Sequence, residues 1–205
     1  MRYLDFKEKL KEFDIFSLSD IRKIDPAFAG ARLTEWQSKG YIRKLRRGFY
    51  TFADRVPDES ALFLIANRLY APSYISLESA LSHYGLIPEG VYAVTSVTSK
   101  KTARFATPLA EFSYRTVRPS LMFGYAMCEG SRGQYKIADM EKAVLDYLYL
   151  NPHIAREADF HEWRFDSAGF LARADLKKLY TYADVFRHAE RPRLDALLAL
   201  MRHAA

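Results

Sequence analysis

The residues best suited to chemistry are a run of cations in the first quarter of the chain, and the chemistry they suit is phosphate binding. Between Trp36 and Ala53 the sequence contains no acidic residue. Lysine and arginine side chains neutralise phosphates and so supply affinity for nucleic acid without reading its sequence. The alternative interpretation is a solvated basic hairpin on a small helical domain. The cations of this run are Lys39, Arg43, Lys44, Arg46 and Arg47.

A second group of polar side chains precedes this run and suits contact with the bases of a duplex. Thr34 and Ser38 can hydrogen-bond base edges or phosphates, and Arg32 has the length to reach a guanine. Glu35 lies among them and is unfavourable near phosphates unless it accepts a hydrogen bond from a cytosine amine. We therefore expect Arg32, Thr34 and Ser38 to contribute to DNA binding beside the basic run.

Two short helices are predicted to position these residues. Ser17 or Ser19 can cap the first helix, because a serine oxygen accepts a hydrogen bond from a free backbone N–H. Asp20 would lie in its first turn, where the helix dipole favours negative charge. Asp25 and Pro26 would then begin a second helix, since proline fixes φ and tolerates the first helical turn.

The second helix is predicted over residues 27–39. Leu33 and Trp36 are three residues apart and would form its buried face, while Phe28 would lie on a flank. Gly40 suits the left-handed conformation that ends a helix. Two β-prone runs around Arg47-Gly48 then predict a hairpin over residues 41–52. Helix, helix and basic hairpin in this order are typical of a winged helix-turn-helix.

The remainder of the chain predicts an α+β fold with two domains. We expect a winged helix-turn-helix at residues 1–56 and a C-terminal α+β domain at 57–205, because the stretch 54–59 is polar with a central proline. The C-terminal domain would contain a small, mostly antiparallel sheet with flanking helices. Helices are predicted near residues 59–70, 76–84, 138–151, 170–186 and 193–201, with strands from residue 91 to about 137 and a break at 190–192.

A second basic surface is predicted on the sheet of the C-terminal domain. Its cations are opposed by Glu111 alone in that part of the sequence. This surface is either an ordinary solvated sheet face or a second contact for a polyanion or partner. Its members are Lys100, Lys101, Arg104, Arg115 and Arg118.

Composition places the protein among intracellular globular proteins with a polyanionic partner. Residues 1–55 hold 13 Lys and Arg against 8 Asp and Glu, so most of the net charge of +6 lies in the first quarter. A single cysteine, Cys128, excludes an intrachain disulfide and favours a reducing compartment. The charged start predicts no signal peptide, and no apolar run is long enough for a membrane span, so we expect a cytoplasmic location.

The sequence lacks the signatures of common enzyme sites. Its histidines are scattered, and no metal-ligand spacing, phosphate loop or nucleophile motif occurs. The strongest enzyme alternative is a metal-dependent nuclease, built from Asp139, Glu141, Lys142 and Asp146. These residues lie on a predicted helix, where a solvated face is the simpler interpretation. We therefore predict no catalytic residues, no metal site and no cofactor.

The sequence resembles the AbiEi-type antitoxins of bacterial type IV (abortive infection) toxin–antitoxin systems. The resemblance is carried by SLSDIRKIDPAFAGARLTEWQSKGYIRKLRRGFYTF, by YISLESALSHYGLIP followed by a Val/Thr-rich strand, and by ADMEKAVLDYLY. It covers roughly residues 5–150, and the last 50 residues match less clearly. Tyr74, Ser76, Glu78, Ser79 and His83 fall in the second of these segments and are expected to serve mainly in capping and packing.

The resemblance implies a transcriptional autorepressor that also acts as an antitoxin in phage defence. The N-terminal domain would bind inverted repeats in double-stranded DNA upstream of its own operon. The C-terminal domain would counter a nucleotidyltransferase-like toxin, and a stable complex with the toxin is not required. The alternative regulator is a ligand-responsive winged-helix transcription factor without an antitoxin role.

Overall fold

The computed structural model of the chain describes residues 1–88, 93–154, 156–186 and 190–204. No helix in these ranges is long and apolar enough to cross a membrane. The helices are Tyr3–Lys9 (α1), Leu18–Ile24 (α2), Ala31–Ser38 (α3), Glu59–Leu69 (α4), Leu77–His83 (α5), Met140–Leu150 (α6), Glu157–Glu162 (α7), Ser167–Arg173 (α8), Leu176–Ala183 (α9) and Glu190–Ala204 (α10). The strands are Phe16–Ser17 (β1), Ile42–Arg46 (β2), Phe49–Phe52 (β3), Ser73–Ile75 (β4), Ala93–Thr98 (β5), Ala103–Ala106 (β6), Glu111–Thr116 (β7), Tyr125–Gly130 (β8) and Gly133–Ala138 (β9).

Residues 1–52, here called the N-terminal unit, combine α1 to α3 with an antiparallel sheet in the order β1-β3-β2. A capping box begins α2, because the Asp20 amide donates to the Ser17 hydroxyl and the Ser17 amide donates to the Asp20 carboxylate at 2.8 Å. The predicted cap at Ser17 is therefore confirmed. The helices pack on the sheet through a core of Phe6, Leu10, Phe16, Ile21, Phe28, Leu33, Trp36, Ile42 and Phe52.

Helix α3 begins four residues later than predicted. Its first residue is Ala31, and Gly30 is the N-cap. Phe28 is buried in the core of the N-terminal unit and not on a helix flank. Burial of this ring requires a turn before the helix, and Gly30 favours that turn because glycine is a poor helix former. Leu33 and Trp36 are buried, as predicted.

The hairpin of β2 and β3 lies where the sequence predicts it. Ile42 pairs with Phe52 at the open end, and both side chains are buried in the core of the N-terminal unit. Gly48 closes the turn with a φ of +87°, and Gly40 ends α3 with a φ of +70°. Both positions lie in the left-handed region that glycine adopts without steric cost.

The second unit, residues 59–204 within the described ranges, is built on a mixed sheet in the order β6-β7-β5-β4-β9-β8. Three neighbouring pairs are antiparallel, whereas β5 with β7 and β4 with β9 are parallel. The predicted α+β class is confirmed, but the sheet is mixed because β7 inserts between β5 and β6. Residues 89–92, of which 91 and 92 belong to the predicted strand region, lie outside the described residues.

Helices cover both faces of the mixed sheet. The Tyr114 hydroxyl donates to the Ala66 carbonyl of α4 at 2.8 Å, which places α4 on one face. The Arg115 guanidinium donates to the Leu150 carbonyl at the end of α6, which places α6 on the other face. Adjacent strand residues point to opposite faces, so these two contacts fix the sides of the sheet.

The C-terminal helices differ from the predicted ones in their boundaries. The stretch predicted near residues 170–186 forms two helices, α8 and α9, because Asp175 starts a new helix by accepting from the Lys178 amide. The predicted break at residues 190–192 is wrong, since α10 begins at Glu190. A proline at the third position of a helix is tolerated, because its missing N–H has no partner there.

Salt bridges and hydrogen bonds connect the N-terminal unit to the second unit. Arg68 of α4 binds the Asp20 carboxylate at 2.6 Å and the Ile15 carbonyl at 2.7 Å. Arg132, in the turn between β8 and β9, binds the buried Asp14 carboxylate at 3.3 Å. The position of a domain boundary near residue 56 stays a prediction, although the two units have separate hydrophobic clusters.

Candidate nucleic-acid interface

Three cations of the β2–β3 hairpin are presented to solvent. Arg43, Lys44 and Arg47 are exposed, and none of their side chains makes a hydrogen bond or ion pair with another residue in the described parts of the chain. Buried Ile42 and Phe52 anchor the hairpin in the core of the N-terminal unit, and Arg43, next to Ile42, points to the opposite face of the strand. Long cationic side chains of this kind can rotate to meet phosphates at little cost in existing contacts.

Helix α3 packs beside β2 of the hairpin, and the outward face of this helix is polar. Thr34 is exposed, and the structure shows no contact of its hydroxyl within the described residues. The Ser38 hydroxyl donates to the Glu35 carbonyl at 2.7 Å. Lys39 and Glu35 form an exposed ion pair of 2.6 Å, which raises the pKa of Lys39 and lowers that of Glu35. Arg32 donates to the Met1 carbonyl, so its guanidinium is already engaged.

Arg46 differs from the other hairpin cations because its side chain points to the second unit. Its Nη1 donates to the Leu69 carbonyl at 2.7 Å, and its guanidinium lies 4.3 Å from the Phe105 ring centroid. The residue is partly buried, in contrast to exposed Arg47. The prediction that Arg46 contacts a phosphate conflicts with this placement, since the guanidinium would have to leave both partners.

The predicted second basic surface is divided between the two faces of the mixed sheet. Arg104 pairs with Glu111, and Arg115 donates to the Leu150 carbonyl at 2.6 Å on the α6 side. Lys100 lies on the side of the N-terminal unit, with its Nζ 5.4 Å from the centroid of the same Tyr70 ring that Arg46 approaches. The other two members of this predicted surface, Lys101 and Arg118, are exposed, and their side chains make no contact among the described residues.

The sequence predicted that the charged residues of the nuclease alternative lie on a solvated helix face. This prediction of a solvated face is wrong. Glu141 is buried, and Lys178 bridges it to Asp139 with distances of 2.8 and 3.0 Å. Lys142 and Asp146 are an ion pair with no exposed side-chain surface. The carboxylates of Asp139, Glu141 and Asp146 are therefore already bound to lysine side chains of the protein. In the described ranges, no group of three or more His, Cys, Asp and Glu residues is arranged to hold a metal ion.

The Lys142–Asp146 pair has two further partners that the sequence did not indicate. The Lys142 Nζ lies 2.7 Å from the Tyr74 hydroxyl, and the Asp146 Oδ2 accepts from Tyr74 and Ser76 at 2.9 and 2.8 Å. Ser76 stands at the N-cap of α5 as predicted, but its hydroxyl serves Asp146 and not the helix. Because both charged groups are inaccessible to solvent, we interpret this cluster as a structural connection between β4 and α6.

Burial shifts the pKa values of this pair toward the neutral forms. Desolvation lowers the pKa of Lys142 and raises that of Asp146, while their mutual attraction opposes both shifts. At the edge of the cluster, burial also lowers the pKa of Lys178, but its bonds to Glu141 and Asp139 raise it by more. The shifts follow from packing, so they do not identify a catalytic group.

Comparison with models of known protein families finds no match to this chain, and comparison with curated proteins finds none either. The functional assignment therefore depends on the placement of the charged and polar residues described above. The strongest feature is that two neighbouring elements, α3 and the β2–β3 hairpin, carry an exposed polar face and three exposed cations without a side-chain partner among the described residues.

Proposed function

We propose that the protein binds double-stranded DNA through its N-terminal unit and regulates transcription. In this proposal α2 and α3 are a helix-turn-helix, α3 enters the major groove, and the β2–β3 hairpin is the wing. The observation that carries the proposal is the set of exposed cations Arg43, Lys44 and Arg47, whose side chains have no partner among the described residues. They lie on a hairpin that packs against α3, the helix that exposes Thr34. A duplex supplies the closely spaced phosphates that such a set can neutralise.

The residues of the interface would have distinct roles. Arg43, Lys44 and Arg47 contact phosphates, which gives affinity for any sequence. Thr34, at the centre of the exposed face of α3, contacts base edges and contributes sequence preference. Arg32, Ser38 and Lys39 join the interface only after they give up their bonds to Met1 and Glu35.

We further propose, on the resemblance to AbiEi-type antitoxins, that the protein is the autorepressor and antitoxin of a type IV toxin–antitoxin system. The DNA would be inverted repeats upstream of its own operon, and residues 57–205 would counter a nucleotidyltransferase-like toxin without catalysis by this chain. Co-expression with a nucleotidyltransferase encoded beside it tests this role. Restored growth supports the antitoxin, and continued growth arrest with both proteins present contradicts it.

The DNA-binding proposal is tested by measuring affinity across a salt series with the full chain. We expect tight binding to the upstream duplex, weaker binding to a scrambled duplex, and a linear fall of log K with log salt. Replacing Arg43, Lys44 and Arg47 together by Gln should reduce the slope by about 0.9 for each phosphate that the protein no longer neutralises. The matched control is Lys177→Gln, because Lys177 is an exposed cation on α9, on the α6 side of the sheet, and its side chain has no partner among the described residues.

Thr34→Val separates sequence reading from phosphate binding. Valine matches the shape of threonine but cannot hydrogen-bond, so this variant should reduce the preference for the upstream duplex and leave the salt slope unchanged. An equal loss on both duplexes would refute the groove contact. A triple hairpin variant with the same slope as Lys177→Gln would refute the wing assignment.

A further inference from the structure

The turn end of the β2–β3 hairpin is packed on the second unit. The register between β2 and β3 shifts between Lys44 and Arg46, which marks a bulge in β2. Leu45, at the bulge, is buried in the hydrophobic cluster of the second unit and not in that of the N-terminal unit. A bulge redirects the side chains of a strand. Here it turns Leu45 and Arg46 toward α4 and β6.

Arg46 meets an ordered aromatic surface on the second unit. Its guanidinium lies 4.3 Å from the centroid of Phe105 and 5.2 Å from that of Tyr70. Tyr70 is itself fixed, because its hydroxyl donates to the Lys101 carbonyl at 2.9 Å and its ring packs edge-on against Tyr114 at 5.1 Å. A planar guanidinium can stack on such rings while its edge donates hydrogen bonds.

The hydrogen bond to the end of α4 completes the attachment. Arg46 Nη1 donates to the Leu69 carbonyl at 2.7 Å, in the last turn of α4, where carbonyl groups lack helical partners. A cation at this position also interacts favourably with the helix dipole. Arg46 thus contacts Phe105 of β6 and caps α4 with one side chain. Both interactions are with the second unit.

We propose that Arg46 is a positioning residue that holds the hairpin against the second unit and thereby presents Arg43, Lys44 and Arg47 to DNA. This inference rests on the proposed function. It implies that the second unit sets the affinity of the N-terminal unit for DNA through Phe105 and Leu69. Arg46 then keeps its protein contacts in the complex and neutralises no phosphate.

Conservative variants of Arg46 separate positioning from phosphate binding. Arg46→Lys keeps the charge but loses the planar stacking and the forked donors, whereas Arg46→Met loses the charge as well. If Arg46 positions the hairpin, both variants should weaken binding to the upstream duplex by a similar factor without changing the salt slope. The factor is about tenfold if the presented conformation falls to one tenth of the population.

Phe105→Leu tests the same contact from the second unit, about 60 residues away in sequence. It should weaken DNA binding as Arg46→Lys does. The affinity of the double variant for DNA should be no lower than that of the weaker-binding single variant, because both substitutions remove the same contact. A slope reduced by about 0.9 in Arg46→Met, with the slope restored in Arg46→Lys, would show a phosphate contact and overturn the proposal.

Hydrogen exchange of the free chain tests the attachment without DNA. Amides of residues 42–52 should exchange faster in Arg46→Lys than in the wild type, while amides of α6 should be unchanged. Unchanged exchange in the hairpin would overturn the inference. Absence of DNA binding by the wild type would overturn the proposed function, and hydrogen exchange would still decide whether Arg46 holds the hairpin.

Discussion

The buried Lys142–Asp146 pair is the feature whose disruption should most strongly reduce stability. Both side chains are fully buried, and the Lys142 Nζ lies between 5.1 and 5.2 Å from the ring centroids of Tyr74, Phe123 and Phe186. A charge left alone among these rings has no water to solvate it. Removing one partner of a buried pair costs about 3–5 kcal/mol, and we expect this loss for Lys142→Met and for Asp146→Leu.

The double variant should be more stable than either single variant. It leaves no buried charge, but it leaves the Ser76 hydroxyl without its Asp146 acceptor. It also removes both Lys142 and Asp146 from the buried Tyr74 hydroxyl, which keeps only the Leu121 carbonyl at 3.5 Å. A buried hydroxyl without a partner costs about 1–3 kcal/mol, so a loss of at least this size is expected for Lys142→Met with Asp146→Leu. Adding Ser76→Ala and Tyr74→Phe removes both hydroxyls and should bring the unfolding free energy to within about 1 kcal/mol of the wild type.

The Asp146→Leu variant should also gain stability as the pH rises. Burial lowers the pKa of Lys142 in the folded state, and the loss of Asp146 removes the attraction that opposes this shift. The unfolded lysine keeps a pKa of about 10.4. Between these two pKa values the unfolded chain binds more protons than the folded chain. The unfolding free energy therefore increases with pH, and the increase ends when the pH exceeds about 10.4.

Urea unfolding, followed by tryptophan fluorescence and circular dichroism at several pH values, measures these differences. The control is Leu148→Ala, which removes a fully buried side chain from the same helix. Its loss of about 2–5 kcal/mol comes from a cavity and should not depend on pH. A double variant destabilised by the sum of the single variants, or a pH-independent Asp146→Leu variant, would refute the reasoning.

Two further substitutions test the junction between the units and a close packing contact. Burial raises the pKa of Asp20, but hydrogen bonds from Ser17 and the bond to Arg68 lower it by more, so the pKa lies below its usual range. The Asp20 carboxylate therefore contributes to the unfolding free energy above about pH 5, and this contribution is lost at lower pH. The difference in urea midpoint between the wild type and Asp20→Asn should narrow on acidification, and a constant difference would contradict this. Gly124→Ala should lower the unfolding free energy by about 1–3 kcal/mol more than Gly85→Ala. Both glycines have positive φ, but only at Gly124 would the new Cβ lie 2.9 Å from Tyr182, and equal losses would exclude the steric effect.

Local sequence signals predicted the elements of the N-terminal unit well. The capping box of Ser17 and Asp20, the glycine at the end of α3 and the turn at Gly48 each depend on residues within a few positions of one another. The start of α3 was missed because Phe28 is held by tertiary packing, which a helical pattern cannot show. Predictions failed where a distant contact overrode a local preference.

The candidate interface shows the same division between local and distant information. The basic run predicted a set of exposed cations, and Arg43, Lys44 and Arg47 have that placement. Arg46 has the same chemistry and nearly the same sequence environment, but a bulge and the Phe105 ring give its side chain a different placement, against the second unit. A run of cations therefore predicts a surface, whereas the role of each member depends on the partner that the fold brings to it.

Helix α6 illustrates why charged residues are the hardest to place from one sequence. A pattern with Lys142 and Asp146 four residues apart is typical of an exposed ion pair on a helix. Their burial is stable because Tyr74 and Ser76 supply hydrogen-bond partners, and these lie 68 and 70 residues away. Buried charges of this kind need such partners, since desolvation otherwise drives them to neutral forms. The hydroxyl groups of β4 and of the start of α5 thus explain why α6 can turn its charged side toward the sheet.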